Sequence, residues 1–471
     1  MRPVHPELQA AFDWIEAHRD EAIADLQRLV QQKSVSAQNI GLEECAQQVV
    51  ELMHADGLPA TAYPTDGGPP CVIGHLPSRS SSKTLLAYAH YDVQPEEPVD
   101  KWSYPPYGGV IDRGRLWGRG ATDNKSGVLA FIKGAKAWLQ TRGDLPVGVK
   151  FLTEGEEEIG SIHLGPLVAA HPELVRADAM HCLDGGVDPS SLVPDIDLGL
   201  KSVLFVELVA RGANADIHSL NAPLLPSPAW DLVRALNTLM DDQRRILVDG
   251  WYEGLWELGE EEYEQLEANA ARLDLSKLRA EWGITEFALG RDGVEALRAR
   301  AYEPTCNIAG LTAGYQGPGS KTIVPNEARA KLDLRLPPLI DPARAIEKLR
   351  RHLVERGFGH IELILRGGTP EPPYKISVKE EISQAIVRAA EQVFGAPPVI
   401  NGVSAEGTIL KHVWMPTVLT GFAQPDCNLH APDESIDLEH YIKGIRYAAA
   451  ILWEYGQLQP TPPDLPTGTL P

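Results

Sequence analysis

The stretch LLAYAHYDV, Leu85 to Val93, decides how the chain is read. It is an apolar run that turns polar only at its end, as a strand buried on both faces of a sheet does. Two further segments have the same form: VGVKFLTEG, Val147 to Gly155, ends in acids, and ADAMHCLDGG, Ala177 to Gly186, runs to Asp184. Between the first two lies SGVLAFIKGAKAWLQ, Ser126 to Gln140, with helical periodicity. Alternating strands and helices predict an open α/β sheet, in which reactive groups collect just past the carboxyl ends of the strands. Each of the three strands delivers a histidine or a carboxylate there.

Working outward, the N-terminal MRPVHPELQAAFDWIEAHRDEAI reads as an amphipathic helix carrying Leu8, Phe12, Ile15 and Ile23, without the apolar core of a secretory signal. From Val203 the character changes. SVLFVELVARG and, later, ARAKLDLRLPP (Ala328 to Pro338) alternate apolar and polar residues, like half-exposed antiparallel strands at sheet edges. An acidic helical stretch, Glu253 to Arg300, lies between them. Together they predict an α+β domain spanning 203–373, inserted into an α/β domain made of 1–202 and 374–471. The chain returns to that first domain near PEPPYKIS, continues into the helix ISQAIVRAAEQVFG ending at Gly395, and then into the strand MPTVLTGF. Residues 459–471 are Pro-rich and expected to be mobile.

Composition sets the outer bounds. A chain of 471 residues is too long for one core, and 43% hydrophobic with 23% charged residues is ordinary for a globular enzyme. No apolar run approaches the ~18 residues that span a bilayer. The net charge of −22 repels phosphate backbones and anionic membranes, so neither nucleic acid nor a membrane is an expected partner. Cys45, Cys71, Cys182, Cys306 and Cys427 are scattered, with no C-x-x-C pair. That argues for a reducing compartment, the cytoplasm, and against a disulfide framework or thiolate zinc site.

Four separated segments carry chemistry. In HYD, His90 and Asp92 share one side of an extended strand end, and Asp92 can hold the second ring nitrogen of His90. In GRGATDNKSG, Gly118 to Gly127, Asp123 sits in a glycine-rich loop leading into a helix, where aspartate is also a favoured N-cap. TEGEEEIGS, Thr153 to Ser161, sets three carboxylates side by side. A cation would offset their repulsion, although a solvated acidic loop has the same composition. DCNLHAPDE, Asp426 to Glu434, is a polar loop with His430. Its Cys427 lacks a second Cys-x-x-His pair and is read as incidental. GYQGPGSKT, Gly314 to Thr322, is not a phosphate loop, because Ser320 separates Gly319 from Lys321.

With HYDVQPEEPVDKW, GRLWGRGATDNKSG, EGEEEIGS, ANADIHSL, GSKTIVP and LDLRLPP in this order, the chain resembles the two-metal peptidase superfamily of aminoacylase, carboxypeptidase G and the dipeptidases. It is most similar to the branch of the cytosolic non-specific and carnosine dipeptidases, from about Glu21 to Ala448. The resemblance implies a two-metal exopeptidase-like catalytic domain, a mixed sheet between helices, with an inserted lid and dimerisation domain. It implies two divalent ions per chain, bridged by Asp123, with His90 and Asp184 completing one site and Glu158 and His430 the other. Nitrogen and oxygen ligands fit zinc first, with manganese and cobalt as alternatives. Glu157 would be the general base acting on a water between the ions, Asp92 would support His90, and Glu156 would be left on the surface. The Asp123–Asn124 peptide is expected to be cis. His218 would reach the partner subunit's site in a homodimer, and Arg335, Gly407 and Thr408 would hold the substrate carboxylate. The family often has serine where Thr408 stands.

The implied activity is hydrolysis of dipeptides or short peptides with a free C-terminus. An N-acyl amino acid deacylase or desuccinylase, or a carboxypeptidase, would use the same chemistry. A non-catalytic binding protein on the same scaffold would have lost a ligand or the base, and here every position is filled. His163, His171, His181, His352 and His412 match no motif and are read as structural.

Overall fold

The computed structural model describes residues 3–366, 372–404 and 415–458. Two compact units divide the chain. One is drawn from Met1–Leu198, Ile376–Ile400 and Lys411–Pro471, the other from Gly199–Lys375 and Asn401–Leu410. The two crossing segments pair with each other, Gly199–Leu200 antiparallel to Tyr374–Lys375.

The first unit is built on an eight-stranded mixed sheet. Its order is Ala60–Tyr63, Cys71–Leu76, Gly148–Glu154, Thr84–His90, Ala179–Leu183, Thr417–Thr420, Asp195–Asp197 and Val399–Asn401. The apolar runs occupy its middle. Thr84–His90 pairs in parallel with both Gly148–Glu154 and Ala179–Leu183, and the latter with Thr417–Thr420. Being covered on both faces, these strands have no polar face to show, which is why they read as continuous hydrophobic segments.

Helix Lys125–Arg142 is buried almost all round and ends at Gly143 in the left-handed region (φ 71°). Its glycines let backbones approach: a Cβ at Gly134 would stand 3.0 Å from Ala449 N on helix Leu438–Gln457. Further along the same pair, Trp138 stacks on Trp453 and donates from Nε1 to Ala449 O at 3.0 Å. The single N-terminal helix read from periodicity is two helices, Pro6–Ala17 and Arg19–Gln31, that meet at His18. Each buries its own apolar stripe, so the pattern carries through the break.

In the second unit the sheet order is Asn307–Ala313, Glu327–Leu336, Ser202–Arg211, Glu362–Arg366, all antiparallel. The two alternating strands are therefore the centre of the sheet and not its edges. Leu204, Val206, Leu208, Leu332 and Leu334 face helices Pro228–Asn237 and Pro342–Glu355. The other face carries Glu207, held between Arg329 and Arg366. A charged outer face produces the same alternation as a solvated edge. The stretch Glu253–Arg300 is broken into helices Glu260–Arg272, Leu275–Trp282 and Gly293–Tyr302. Gly283, at φ 66°, ends the second of them. No helix among the described residues is long and apolar enough to cross a membrane.

One close approach bears directly on the chemistry. A Cβ at Gly421 would lie 1.8 Å from Gly185 O and 2.1 Å from Gly185 N, one residue past Asp184. These are backbone atoms and cannot swing aside. Gly421→Ala is therefore expected to lower unfolding stability by about 1–3 kcal/mol through overpacking, read as a lower urea midpoint by tryptophan fluorescence.

Candidate metal centre

The carboxyl ends of the central strands bring His90, Asp92, Asp123, Glu157, Glu158, Asp184 and His430 together. Two groups of metal-ligand type form there, His90 with Glu157 and Asp184, and Asp123 with Glu158 and His430. Asp123 also faces the first group: its Oδ1 lies 3.1 Å from His90 Nε2, and its Oδ2 lies 2.9 Å from His430 Nε2. One carboxylate thus addresses two imidazoles, one with each oxygen. Asp184 Oδ2 is 3.3 Å from His90 Nε2, and Glu158 Oε2 is 3.3 Å from His430 Nε2. Glu157 Oε2 stands farther off, 3.9 Å from His90 Nε2. The two imidazoles differ in setting, the side chain of His90 being 0% exposed and that of His430 55%.

Local structure explains how neighbouring acids reach different places. Glu157–Ile159 is one turn of 3-10 helix. At three residues per turn, successive side chains leave the axis about 120° apart. The turn is fixed by Asp92, whose two carboxylate oxygens accept the backbone N–H of Glu157 and Glu158, each at 3.2 Å. From the motif HYD, Asp92 is expected to support His90. Nδ1 of His90 indeed lies 3.3 Å from the Asp92 carboxylate, but its nearer acceptor is the Asp92 main-chain oxygen at 3.0 Å. Glu156 is not on the surface as expected. It is 6% exposed and bound to His163, accepting its backbone N–H at 3.0 Å and lying 2.9 Å from its Nδ1. A carboxylate with its own imidazole can be buried where an unpaired one cannot.

Three supporting residues were not singled out from sequence. Asn124 follows Asp123 across a cis peptide bond and donates from Nδ2 to Leu183 O at 2.7 Å and Asp184 Oδ1 at 2.8 Å. Glu434 is fully buried. It accepts from Arg119 at 2.7 Å and from the backbone N–H of Gly120, Thr122 and Asp123 at 3.0–3.1 Å. Gln94 donates to Glu158 Oε2 at 2.8 Å. All three lie inside quoted motifs, but their partners are remote in sequence, and no local pattern reveals them.

The electrostatics describe a centre short of positive charge. Burial alone would depress the pKa of His90, yet Asp184, Asp123 and Asp92 hold it well above the ordinary imidazole value. Hydrogen bonds to Asp123 and Glu158 lift His430 to about 10. Burial would raise Asp123, but hydrogen bonds from His430 and His90 hold it below the usual carboxylate range. Burial pushes Glu157 well above that range, with Asp184, Glu158 and Asp123 adding to the rise against His90. Glu158 Oε1 is buried without a hydrogen-bond partner. An acceptor left in that state calls for an occupant, and the all nitrogen and oxygen donor set suits divalent cations.

His218 and Arg335 belong to the second unit. His218 is exposed in the short strand Ile217–His218 and accepts at Nδ1 from Leu220 N at 3.0 Å. Arg335 is half-buried in the central strand, its Nε 3.3 Å from Asp333 Oδ1. Gly407, Thr408, His412 and the 459–471 tail lie outside the described residues. All five cysteines are free, and Cys427 stands in neither ligand group.

Residues 86–454 match Peptidase family M20/M25/M40. The chain is 28% identical to human Beta-Ala-His dipeptidase, over 96% of this chain and 93% of that protein. It is 26% identical to the Cys-Gly metallodipeptidase dug1 of Schizosaccharomyces pombe, over 96% and 99%. Among solved structures, it matches an M20 family metallo-carboxypeptidase, Sso-CP2, from Sulfolobus solfataricus, with TM-score 0.82 and 35% identity over 93% of this chain and 100% of that one. With ligand geometry, fold and more than half the sequence in agreement, the chain belongs to the M20/M25/M40 family of peptidases.

Proposed function

We propose that this metallopeptidase hydrolyses dipeptides and short peptides with a free C-terminus. The carrying observation is the Asp123 carboxylate, whose two oxygens face two different imidazoles, so that one side chain is shared by two ligand sets. The preference for dipeptides is supported by the relatives of that activity, which align over nearly the whole chain. His90 and Asp184 would hold one ion, Glu158 and His430 the other, with Asp123 between. Zinc is the first choice and manganese or cobalt the alternatives. Such ions, when bound, supply Lewis acidity and lower the pKa of a water toward neutrality.

The rest is the work of side chains. Glu157 is the group of the cluster farthest from the imidazoles, free to take a proton from the attacking water and return it to the leaving amine. Asp92 keeps the backbone of Glu157 and Glu158 in place, so the base and its ligating neighbour are presented together. In the second unit, Arg335 suits a free carboxylate, because a planar guanidinium can bind it with two parallel hydrogen bonds. His218 would donate to the developing oxyanion from the partner subunit of a homodimer. Free cysteines are consistent with a cytoplasmic setting.

A carboxypeptidase is the second reading, favoured by the likeness to the Sulfolobus enzyme. A panel of free dipeptides, N-acetyl amino acids and N-blocked longer peptides separates the choices. Free dipeptides are expected to turn over fastest. Preferential release of the C-terminal residue from N-blocked peptides would establish the carboxypeptidase instead, and preference for N-acetyl amino acids a deacylase.

Elemental analysis of three variants checks the roles. Asp123→Ala is expected to lose most of both ions and Glu158→Gln mainly one. Glu157→Gln should keep two ions while kcat falls by roughly 10²–10⁴. Full turnover in Glu157→Gln would place the base elsewhere.

The trans role of His218 is tested by mixing subunits. His218→Ala and Glu157→Gln homodimers should each be nearly inactive. In a mixed two-fold dimer one site carries both defects and the other neither, so about half the parental activity should return. Mixed dimers confirmed by tagged pull-down yet still inactive, or a monomer by light scattering, would end the proposal.

A further inference from the structure

Gln94 is four residues past His90 and plays no part in the chemistry above. Its Nε2 donates to Glu158 Oε2 at 2.8 Å, with the Glu158 main-chain oxygen at 3.4 Å. The side chain of Glu158 is 4% exposed, and its other oxygen, Oε1, is buried without a hydrogen-bond partner. Oε2, the oxygen that Gln94 holds, also lies 3.3 Å from His430 Nε2, while Oε1 is left open. From this geometry we infer that Gln94 is a positioning residue for the outer ion site, the one formed by Asp123, Glu158 and His430, fixing the Glu158 carboxylate without neutralising it. This rests on the two-ion reading above.

The choice of an amide follows from charge. A carboxylate left to rotate would sample orientations in which neither oxygen faces Asp123 and His430. A lysine in place of Gln94 would fix it equally well, but would also supply the positive charge that an ion would otherwise supply, and so compete with the ion. The amide donates a hydrogen bond and keeps the full negative charge available. Gln94 is itself held through its neighbour, because the buried Arg119 donates to Pro95 O at 3.3 Å and to Glu434 at 2.7 Å. Glu434 in turn accepts the Asp123 N–H at 3.1 Å. The support of Glu158 and the support of Asp123 therefore meet in one ion pair. His90 has no such tie to Gln94: its Nδ1 is held by Asp92, and Asp184 by Asn124. A change at Gln94 should consequently reach one site and spare the other.

The test is calorimetric titration of the metal-stripped full-length protein with Mn²⁺ and, separately, Zn²⁺. The binding step lost in His430→Ala identifies the outer site. Gln94→Ala is expected to weaken that step about 10–100-fold, as loss of outer-shell partners commonly does, and to leave the other step unchanged. Gln94→Lys should abolish the outer step and keep the inner one. Unchanged affinities in both variants overturn the inference. So does equal weakening of both steps together with a lower melting temperature of the metal-free protein, which would make Gln94 a prop of its loop. A parental protein that takes up fewer than two ions overturns the two-ion reading, and this inference falls with it.

Discussion

Five carboxylates, those of Asp92, Asp123, Glu157, Glu158 and Asp184, converge on two imidazoles at the end of one sheet, and their mutual repulsion is what the surrounding structure has to contain. Lysine or arginine against each would have been the simplest remedy, and among the described residues none is paired with them in this way. Neutral or backbone groups hold them: the N–H groups of Glu157 and Glu158 on Asp92, the Asn124 amide on Asp184, the Gln94 amide on Glu158. Buried Arg119 faces Glu434, one step away from the cluster, and that pair anchors the loop that carries Asp123. On the two-ion reading proposed above, the negative charge is left undiminished where the ions would bind. The same carboxylates push the pKa values of both histidines above the ordinary imidazole value.

Much of this was legible in the sequence, for identifiable reasons. Strands buried on both faces have to be apolar along their length, so Leu85 to Val93 announced itself, and the residues just past each strand had to be the reactive ones. The cis peptide at Asp123–Asn124 agrees with the expectation drawn from the family resemblance. What escaped detection depends on pairing across long separations. Glu156 is set apart from its two acidic neighbours by the resemblance and expected on the surface, and only the fold shows that His163 allows it to be buried. Glu434 and Arg119 are 315 residues apart and look like ordinary surface charges until the chain closes on itself.

The second unit teaches a different lesson. Its central strands alternate because one face meets helices and the other carries ion pairs such as Arg366 with Glu207. Alternation reports that the two faces of a strand differ in polarity. It does not report whether the polar face belongs to an edge or to the middle of a sheet, and that is why the two strands read as edges. Arg335 shares its strand with Asp333 and Arg329, so a guanidinium suited to carboxylates stands among charges that also serve the sheet.

The single 3-10 turn at Glu157–Ile159 fixes the loop's length as firmly as its composition. Side chains there are separated by a third of a revolution, so each position owns a direction. Lengthening or shortening the segment between Glu154 and Gly160 by one residue would leave the acids in place as a string of letters while rotating them in space. Each acid would then point in a direction that belongs to a neighbour. The register of this loop behaves as a reading frame, in which the count of residues carries as much meaning as their identity.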